Sequence, residues 1–277
     1  MFVVELNRVM RFDSVDGADA QEHDVVPEGQ HIPPGEAKFN HGARVCRVGP
    51  DNKLYIATAE PINIMPKEKY DLYDKSGMGA INRINFDGTG REVYAHGLRN
   101  SLGLDFNPVD RTLWFTDNQV DGMGDDIPPG ELNRATRAEQ NFGYPRFGGG
   151  HIRTELWKDT TPPADIVFPE IETVAHAADL GMSFYTGTMF PREYRGGIFS
   201  AQHGSWNRTV PIGARVMFTK LKPDGTAAHM TVFASGWLTP DHTYQGRPVD
   251  VQQMKDGSLL VSDDYGGAVY RITYDGK

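Results

Sequence analysis

The chain has almost no cysteine and no long apolar run. Cys46 is the single cysteine among 277 residues, so an intrachain disulfide is excluded. No apolar stretch approaches the roughly 20 residues that a transmembrane helix needs, so no membrane span is predicted. The first residues, Met1–Asp13, have neither the basic nor the apolar region of a secretory signal.

Positive charge and helical periodicity are also scarce. The 28 Lys and Arg residues face 37 Asp and Glu residues, which gives a net charge of −9. Nucleic acids and anionic membrane surfaces require a basic face, so neither is an expected partner. No glycine-rich fingerprint follows a strand and opens a helix, which argues against a nicotinamide cofactor. The 39% hydrophobic residues, 31 glycines and 18 prolines are typical of a globular chain with many turns.

A short module recurs along the chain. It begins with a polar turn and continues as a strand of alternating large apolar residues with an acidic or polar end. A strand carrying Arg or Lys follows each copy, often before an Asp-Gly turn such as Asp87-Gly88 or Asp224-Gly225, which predicts a hairpin. Such repeated units predict a β-propeller, whereas the rival β-sandwich would not predict the recurring block. The copies span Gly49–Thr58, Asn107–Asn118, Phe190–Ala201 and Met254–Asp264.

The number of modules predicts either a small propeller or part of a larger one. Four modules are nearly complete, and the run Asn7–Phe12 is interpreted as the last strand of a module whose beginning is absent. We therefore expect an all-β chain with a single β-propeller domain over residues 1–277, containing about four blades plus one strand.

Four polar loops are candidate sites, because propeller chemistry lies in the loops around the central channel. His41, in Asn40–Arg44, either points into a cleft or is a surface histidine. The Arg99-Asn100 pair suits anion binding, or bonds to loop carbonyls. The acidic loop 117–133 offers oxygen ligands to a hard cation such as Ca²⁺, without the spacing of an EF-hand. Trp206, beside His, Asn and Arg residues, suits a flat aromatic ligand or packs under its own loop.

Four stretches together carry a family resemblance. They are Gly97–Leu104, Trp114–Asn133, His203–Arg208 and Gly246–Val251, and the second, with Asn141–Pro145 after it, is the most specific. In this order they resemble the glucose/sorbosone dehydrogenase family, whose members are quinoprotein propellers. The similarity runs over nearly the whole chain and is closest to the sorbosone-dehydrogenase-like branch.

The resemblance implies a six-bladed β-propeller with pyrroloquinoline quinone (PQQ) and Ca²⁺ at the top of its channel, and a chain that lacks its N-terminal blade or blades. His41 matches the base that takes the sugar hydroxyl proton. Arg99 and Asn100 match the pair that contacts the quinone oxygens, where Arg99 also stabilises developing charge. Further positions of the cofactor pocket are His203, Trp206, Asn207, Arg208 and Arg247. Backbone carbonyls near Gln119 and Val120 match the loop of the cofactor calcium, and Glu131 with the carbonyl of Phe142 match ligands of a second, structural calcium. Asp125 and Asp126 complete the positions implied for metal.

The resemblance also implies a reaction and its partners. The expected enzyme oxidises the C1 hydroxyl or the aldehyde of aldoses or sorbosone-like sugars by hydride transfer to PQQ. It passes electrons to a quinone, cytochrome or dye-like acceptor, and it is periplasmic or secreted. Two alternatives stay open: a calcium-dependent propeller lactonase or hydrolase, and a non-catalytic propeller that binds sugar.

Overall fold

Short β-strands dominate the computed structural model, which describes residues 1–14, 20–38 and 40–276. Helical segments are brief: α1 spans Tyr70–Ser76, and 3₁₀ turns cover Lys67–Lys69, Glu155–Trp157 and Arg192–Tyr194. Within the described residues, none of the helices combines the length and apolar character that crossing a membrane requires. In chain order the strands are β1 (Phe2–Val4), β2 (Val9–Phe12), β3 (Glu22–Val26), β4 (Val45–Val48), β5 (Leu54–Thr58), β6 (Ala80–Ile84), β7 (Glu92–His96), β8 (Gly103–Phe106), β9 (Leu113–Asp117), β10 (Gly130–Ala135), β11 (Gln140–Asn141), β12 (Phe147–Gly149), β13 (Ile152–Arg153), β14 (Ile171–Thr173), β15 (Asp179–Phe184), β16 (Ile198–Gln202), β17 (Arg215–Leu221), β18 (Ala227–Ala234), β19 (Pro248–Gln253), β20 (Leu259–Asp263) and β21 (Ala268–Ile272).

The chain divides into two compact units, which are described separately. Unit 1 consists of Met1–Ser101, Arg137–Phe147 and Arg153–Val167. Unit 2 consists of Leu102–Thr136, Gly148–Ile152 and Phe168–Lys277. The single propeller domain over residues 1–277 stays a prediction.

Unit 1 contains two sheets that bury one apolar cluster. Strands β1, β2 and β3 form an antiparallel meander, and β4 to β7 form a second one, to which β11 adds in parallel beside β7. Val9 and Val25 from the first sheet pack with Leu54, Ile56 and Ile84 from the second, and all five side chains are buried. Strand β5 is buried on both faces, which explains why its sequence is continuously apolar.

The N-terminal strands correct one expectation from the sequence. The run Asn7–Phe12, interpreted above as the last strand of a module, contains β2, the middle strand of a sheet with partners on both sides. The described residues therefore form five sheets of at least three strands, rather than four modules plus one strand. The module pattern did not reveal this sheet, because β3 begins with Glu-His-Asp rather than with the large apolar residues of the other modules.

Unit 2 contains three sheets in a propeller-like arrangement. Their strand orders are β8-β9-β10-β14, β15-β16-β17-β18 and β19-β20-β21. The first strand of each sheet is also an edge strand, and β15 lies against both β8 and β19. First strands that line up side by side in this way are typical of successive propeller blades. The all-β, propeller-like prediction is confirmed, while the sixth blade stays a prediction.

Two turns predicted as hairpins are confirmed. Asp87 connects β6 to β7, and Asp224 connects β17 to β18. Each carboxylate accepts hydrogen bonds from the backbone N–H and hydroxyl of the threonine two residues later. The intervening Gly88 and Gly225 have φ values of 85° and 80°, a backbone conformation that glycine adopts without steric cost.

Aromatic rings fill the space between the second and third sheets of unit 2. Phe199 on β16 is fully buried. The distance between ring centroids is 4.6 Å to Phe233, 5.1 Å to Phe218 and 5.5 Å to Tyr185. Val251 and Val261 complete the cluster from the third sheet. This cluster holds the two sheets together, because each sheet covers the apolar face of the other.

Phe199→Ala is therefore expected to lower the free energy of unfolding by about 3–5 kcal/mol, through lost burial and the cavity left behind. Urea unfolding measures the loss. Val109→Ala is the control, because Val109 is 86% exposed and its truncation should change stability by less than about 0.5 kcal/mol. Equal stability of the two variants would show that this ring cluster does not hold the sheets together.

Candidate functional site

The predicted base, His41, is held in a left-handed turn in unit 1. Its φ is 51°, and Nδ1 lies 2.5 Å from the carbonyl oxygen of Glu60. Arg44 donates to the carbonyl of His41 at 2.6 Å, and Asn40 donates to that of Pro61 at 2.9 Å. A carbonyl only accepts hydrogen bonds, so Nδ1 carries the proton and Nε2 is the basic nitrogen. In the neutral ring this arrangement leaves Nε2 to accept a proton, as a general base requires.

Arg99, the predicted anion-binding residue, is anchored to the same segment. Its carbonyl accepts from the backbone N–H of Glu60 at 2.9 Å. The buried guanidinium donates from Nε to the carbonyl of Asn63 at 2.9 Å and from Nη2 to Oδ1 of Asn63 at 2.8 Å. Asn100, beside it, is also buried. The peptide groups of Glu60 thus bring His41 and Arg99 together.

The side chain of Glu60 is a site residue that the sequence reasoning missed. It is fully buried, and neither carboxylate oxygen has a hydrogen-bond partner among the described residues. Burial raises the pKa of Glu60 well above its usual range, the carboxylate of Glu36 raises it further, and Arg99 opposes both. A Cβ at Gly79 would lie 2.7 Å from Oε1, so only glycine fits there. The sequence feature that could have indicated this site is an acidic residue just after the apolar strand β5.

This carboxyl lines a small enclosed cavity. The cavity measures about 20 Å³ and is bordered by Glu60, Met65, Tyr144 and the backbone of Gly79–Ala80. That volume holds one water molecule. In its neutral form this carboxyl has a proton to donate beside the backbone that fixes His41.

Two predicted cofactor residues in unit 2 hold neighbouring loops together. Asn207 donates to Oδ1 of Asp121 at 2.7 Å and lies 3.2 Å from Nδ1 of His176. Arg208 donates to the carbonyls of Asp125 and of Ala175, the latter at 3.3 Å. Both side chains therefore connect one loop to another. Their contact with a cofactor stays a prediction.

His203, Arg247 and Trp206 lie on the same loop region of unit 2. Arg247 donates from Nε to the carbonyl of His203 at 3.0 Å and also bonds to those of Gly204 and Ser205. Nε2 of His203 lies 2.9 Å from a carboxylate oxygen of Asp264. Trp206 is 75% exposed, so its ring does not pack under its own loop. An exposed indole beside fixed polar groups offers a flat apolar plate to a ligand.

Glu131 is the strongest of the predicted calcium ligands. It is buried, and it pairs with Asp117 across strands β10 and β9. Oε1 accepts from the N–H of Gly150 at 2.7 Å, and Oε2 accepts from Asn133 at 2.9 Å. Burial raises the pKa of Glu131 to about 8, and the neighbouring carboxylate of Asp117 adds to the shift. Oδ1 of Asn133 is buried and has no partner among the described residues, so this oxygen is of the kind that suits a hard cation.

Gln119 and Val120 lie against the glycine run beside Glu131. Gln119 donates to Oδ2 of Asp117 at 3.0 Å, and the N–H of Val120 donates to the carbonyl of Gly148 at 2.9 Å. A Cβ at Gly149 would lie 2.8 Å from Cγ of Gln119, so the chain can pass this close only as glycine.

Asp125 and Asp126, two further calcium candidates, already have partners within unit 2. Asp125 accepts from the N–H of Thr209 with both oxygens at 3.1 Å, and Asp126 pairs with Arg208 at 3.2 Å. Phe142 belongs to unit 1, whereas Glu131 belongs to unit 2. In the part of the chain that the structure describes, no three His, Cys, Asp or Glu side chains form a group that could hold a metal ion. A cation here would therefore depend on amide and backbone oxygens as well.

Asp179 is a second buried acid in unit 2. It accepts from Thr173 at 2.5 Å and from Gln202 at 2.9 Å, and its backbone carbonyl accepts from Asn118 at 2.9 Å. Burial raises the pKa of Asp179 from 3.8 to about 6, against the lowering effect of these hydrogen bonds.

The comparisons with known proteins agree with this fold and place the chain in a class. Residues 6–271 match the model of the Glucose / Sorbosone dehydrogenase family. The chain therefore belongs to that family.

Individual relatives extend the comparison. An uncharacterized protein of Borreliella burgdorferi is 36% identical over 250 residues, which are 88% of this chain and 63% of that protein. A structure of Trichoderma reesei Carbohydrate-Active Enzymes Family AA12 has a TM-score of 0.79 at 18% identity, over 98% of this chain and 77% of the other. The holo pyranose dehydrogenase PQQ domain from Coprinopsis cinerea has a TM-score of 0.76 at 18% identity, over 98% and 78%. The chain spans about three fifths of the length of the curated relatives that it matches.

Ca²⁺ is expected to stabilise the protein through the group around Glu131. Saturating Ca²⁺ should raise the melting temperature by about 5 °C, because a ligand that binds only the folded state stabilises it by mass action. Glu131→Gln should lose this rise, whereas Asp126→Asn should keep it. A calcium-dependent rise that disappears only in Asp126→Asn would move the site to the acidic loop.

The pH dependence of stability is expected to contain a contribution from Asp179. A carboxyl whose pKa is raised in the folded state stabilises that state below the unfolded value of 3.8, and this contribution is lost as pH rises to about 6. This contribution to the free energy of unfolding is about 3 kcal/mol. Asp179→Asn should therefore show a shallower fall in unfolding free energy between pH 4 and pH 6, measured by urea unfolding. The exposed Asp165→Asn variant should follow the wild type, and identical profiles for all three proteins would contradict this assignment.

Proposed function

We propose that this protein is a quinoprotein sugar dehydrogenase. It oxidises the C1 hydroxyl or the aldehyde of aldoses or sorbosone-like sugars by hydride transfer to PQQ, with calcium as the second cofactor. Membership of the family supports the reaction class. The observation that carries the proposal is the position of Glu60, whose carbonyl fixes the tautomer of His41 and whose N–H bonds to Arg99.

His41 is the proposed general base. A sugar hydroxyl is a weak acid, so loss of hydride from its carbon requires that the proton be removed in the same step. Nε2 of His41 is the basic nitrogen in this proposal, because Nδ1 donates to the carbonyl of Glu60. That hydrogen bond also stabilises the ring after it has gained the proton, since a carbonyl dipole favours the imidazolium.

Arg99 and Asn100 are the residues proposed to hold the quinone. PQQ is anionic, and a chain with a net charge of −9 must attract it with local positive charge. The guanidinium of Arg99 is fixed by Asn63, so it needs no reordering to face an oxyanion. When bound, PQQ supplies a carbonyl carbon that accepts hydride, and calcium supplies positive charge beside the carbonyl oxygen.

Unit 2 supplies the remaining proposed contacts. The exposed indole of Trp206 offers a stacking surface, and His203, Asn207, Arg208 and Arg247 position its loop. Glu131, with Gln119 and the backbone of Val120, is the proposed calcium region, and Asp125 and Asp126 are the weaker candidates. A six-bladed ring, a periplasmic or secreted location and a quinone, cytochrome or dye-like acceptor belong to the same proposal.

Reconstitution tests the proposed reaction. The protein is incubated with PQQ and Ca²⁺, and reduction of an artificial acceptor dye is followed with a panel of aldoses and sorbosone. Sugar-dependent reduction that requires both additions supports the proposal. Hydrolysis of a lactone with Ca²⁺ alone would favour the lactonase alternative, and sugar binding without turnover would favour the non-catalytic alternative.

His41→Ala is expected to lower the rate of dye reduction by about a hundredfold to ten-thousandfold, which is the usual contribution of a general base. Binding of PQQ, measured by fluorescence titration, should change little. His242→Ala is a matched control, because His242 is exposed and also has a positive φ, of 64°. A His41→Ala variant with wild-type turnover would show that another residue is the base.

A further inference from the structure

An open cleft in unit 2 lies apart from the residues assigned to the proposed reaction. It measures about 500 Å³, which is within the range of small-molecule sites. Its lining comes from three segments: residues 107–110 between β8 and β9, Arg195 and Gly196 before β16, and residues 220–225 at the end of β17 and in the turn after it. No residue of the proposed site is among the lining residues, so the proposed reaction does not explain the cleft.

The cleft and the predicted cofactor loops lie at opposite ends of the same strands. Arg195 precedes β16, whereas His203 follows that strand. Lys222 follows β17, whereas Arg208 precedes it. Strand β17 has seven residues, and an extended chain of this length covers about 20 Å. A ligand in the cleft would therefore not contact the predicted cofactor loops.

Three cations of the cleft are accessible. Arg195, Lys220 and Lys222 all line it, and all three residues are exposed. Within the described residues, none of their side chains has a hydrogen-bond or ion-pair partner. Their N–H groups are therefore donors that a ligand can reach, and they come from two separate segments of the chain.

The two acids in the lining already have hydrogen-bond donors. Oδ2 of Asp110 accepts from Nη2 of Arg134 at 2.7 Å, so this carboxylate has a cation of its own. Oδ1 of Asp224 accepts from the backbone N–H of Thr226 at 2.9 Å and from its hydroxyl at 2.7 Å. These hydrogen bonds lower the pKa of Asp224, and the charges of Lys222 and Arg134 add to the effect. The cleft is therefore positive overall, in a protein whose net charge is −9.

The walls of the cleft are held by contacts of their own. A Cβ at Gly225 would lie 2.8 Å from Oδ2 of Asp110, so the turn after β17 packs here only because it has glycine. Within residues 107–110, Oδ1 of Asn107 accepts from the N–H of Val109 at 2.9 Å. An anion can therefore bind without first ordering these two walls.

We propose that this cleft binds a small anion with two or more negatively charged groups, such as a diphosphate or a tricarboxylate. One charged group bonds to the guanidinium of Arg195, and another bonds to the ammonium groups of Lys220 and Lys222. A single exposed ion pair contributes little, whereas an anion that reaches cations on separate segments gains from all of them at once. The site does not depend on the redox reaction proposed above.

NMR titration of the full chain tests the site. Pyrophosphate, citrate and acetate are added separately in metal-free buffer, because the first two chelate calcium, and the amide signals of Gly196 and Gly225 are followed. Pyrophosphate or citrate should shift these signals at concentrations at which acetate, with one charge, does not. A shift with pyrophosphate alone identifies a phosphate site, and a shift with citrate alone identifies a carboxylate site. No shift with either anion, or equal shifts with acetate, would overturn the proposal.

Charge-removing variants assign the contacts, with affinity measured by calorimetry. Arg195→Gln and Lys220→Gln should each weaken binding of the anion about two- to fivefold, as expected for loss of one exposed ion pair. Combining Lys220→Gln with Lys222→Gln should weaken it further. Lys255→Gln, which removes an exposed lysine of unit 2 outside the cleft, should leave binding unchanged. Wild-type affinity in Arg195→Gln and in the double lysine variant, or an equal loss in Lys255→Gln, would contradict the assignment.

Discussion

Burial of the sheet faces is the constraint on which the rest of the structure depends. The central strands β5, β9 and β16 are buried on both faces, so each sheet must be covered on two sides. In unit 2 the rings around Phe199 fill one interface between sheets, and Trp114 with Met182 and Phe184 fills the other. Because β15 lies against both β8 and β19, the loops that leave these strands are brought to neighbouring positions.

The proposed catalytic residues depend on the end of one such buried strand. Glu60 follows β5 closely, and its backbone carries the contacts to His41 and to Arg99. A residue that follows a strand of a packed sheet this closely moves little, so both contacts are pre-organised. Burial of the Glu60 side chain disfavours its charged form, which raises the pKa of this carboxyl.

The arginines of the site show why sequence reasoning identified residues but not their use. The family resemblance assigned Arg99, Arg208 and Arg247 to an anionic cofactor. In the structure each of these side chains donates hydrogen bonds to backbone carbonyls. Binding an anionic cofactor and bonding to backbone carbonyls both require an arginine next to a polar loop. The sequence pattern is therefore the same for the two roles. Only the loop conformation decides which oxygen atoms lie within reach of the guanidinium.

The sequence alone determined the strand pattern, the Asp-Gly hairpins and the family, because these depend on residues close together in the chain. It also identified His41, but not the tautomer that Glu60 imposes. Tertiary structure decided the three-stranded N-terminal sheet and the burial of Glu60. The physical reason is that burial and hydrogen-bond satisfaction depend on partners from distant segments. His31 and Thr58 are 27 residues apart, and only the packing of the loop after β3 against β5 brings them into contact.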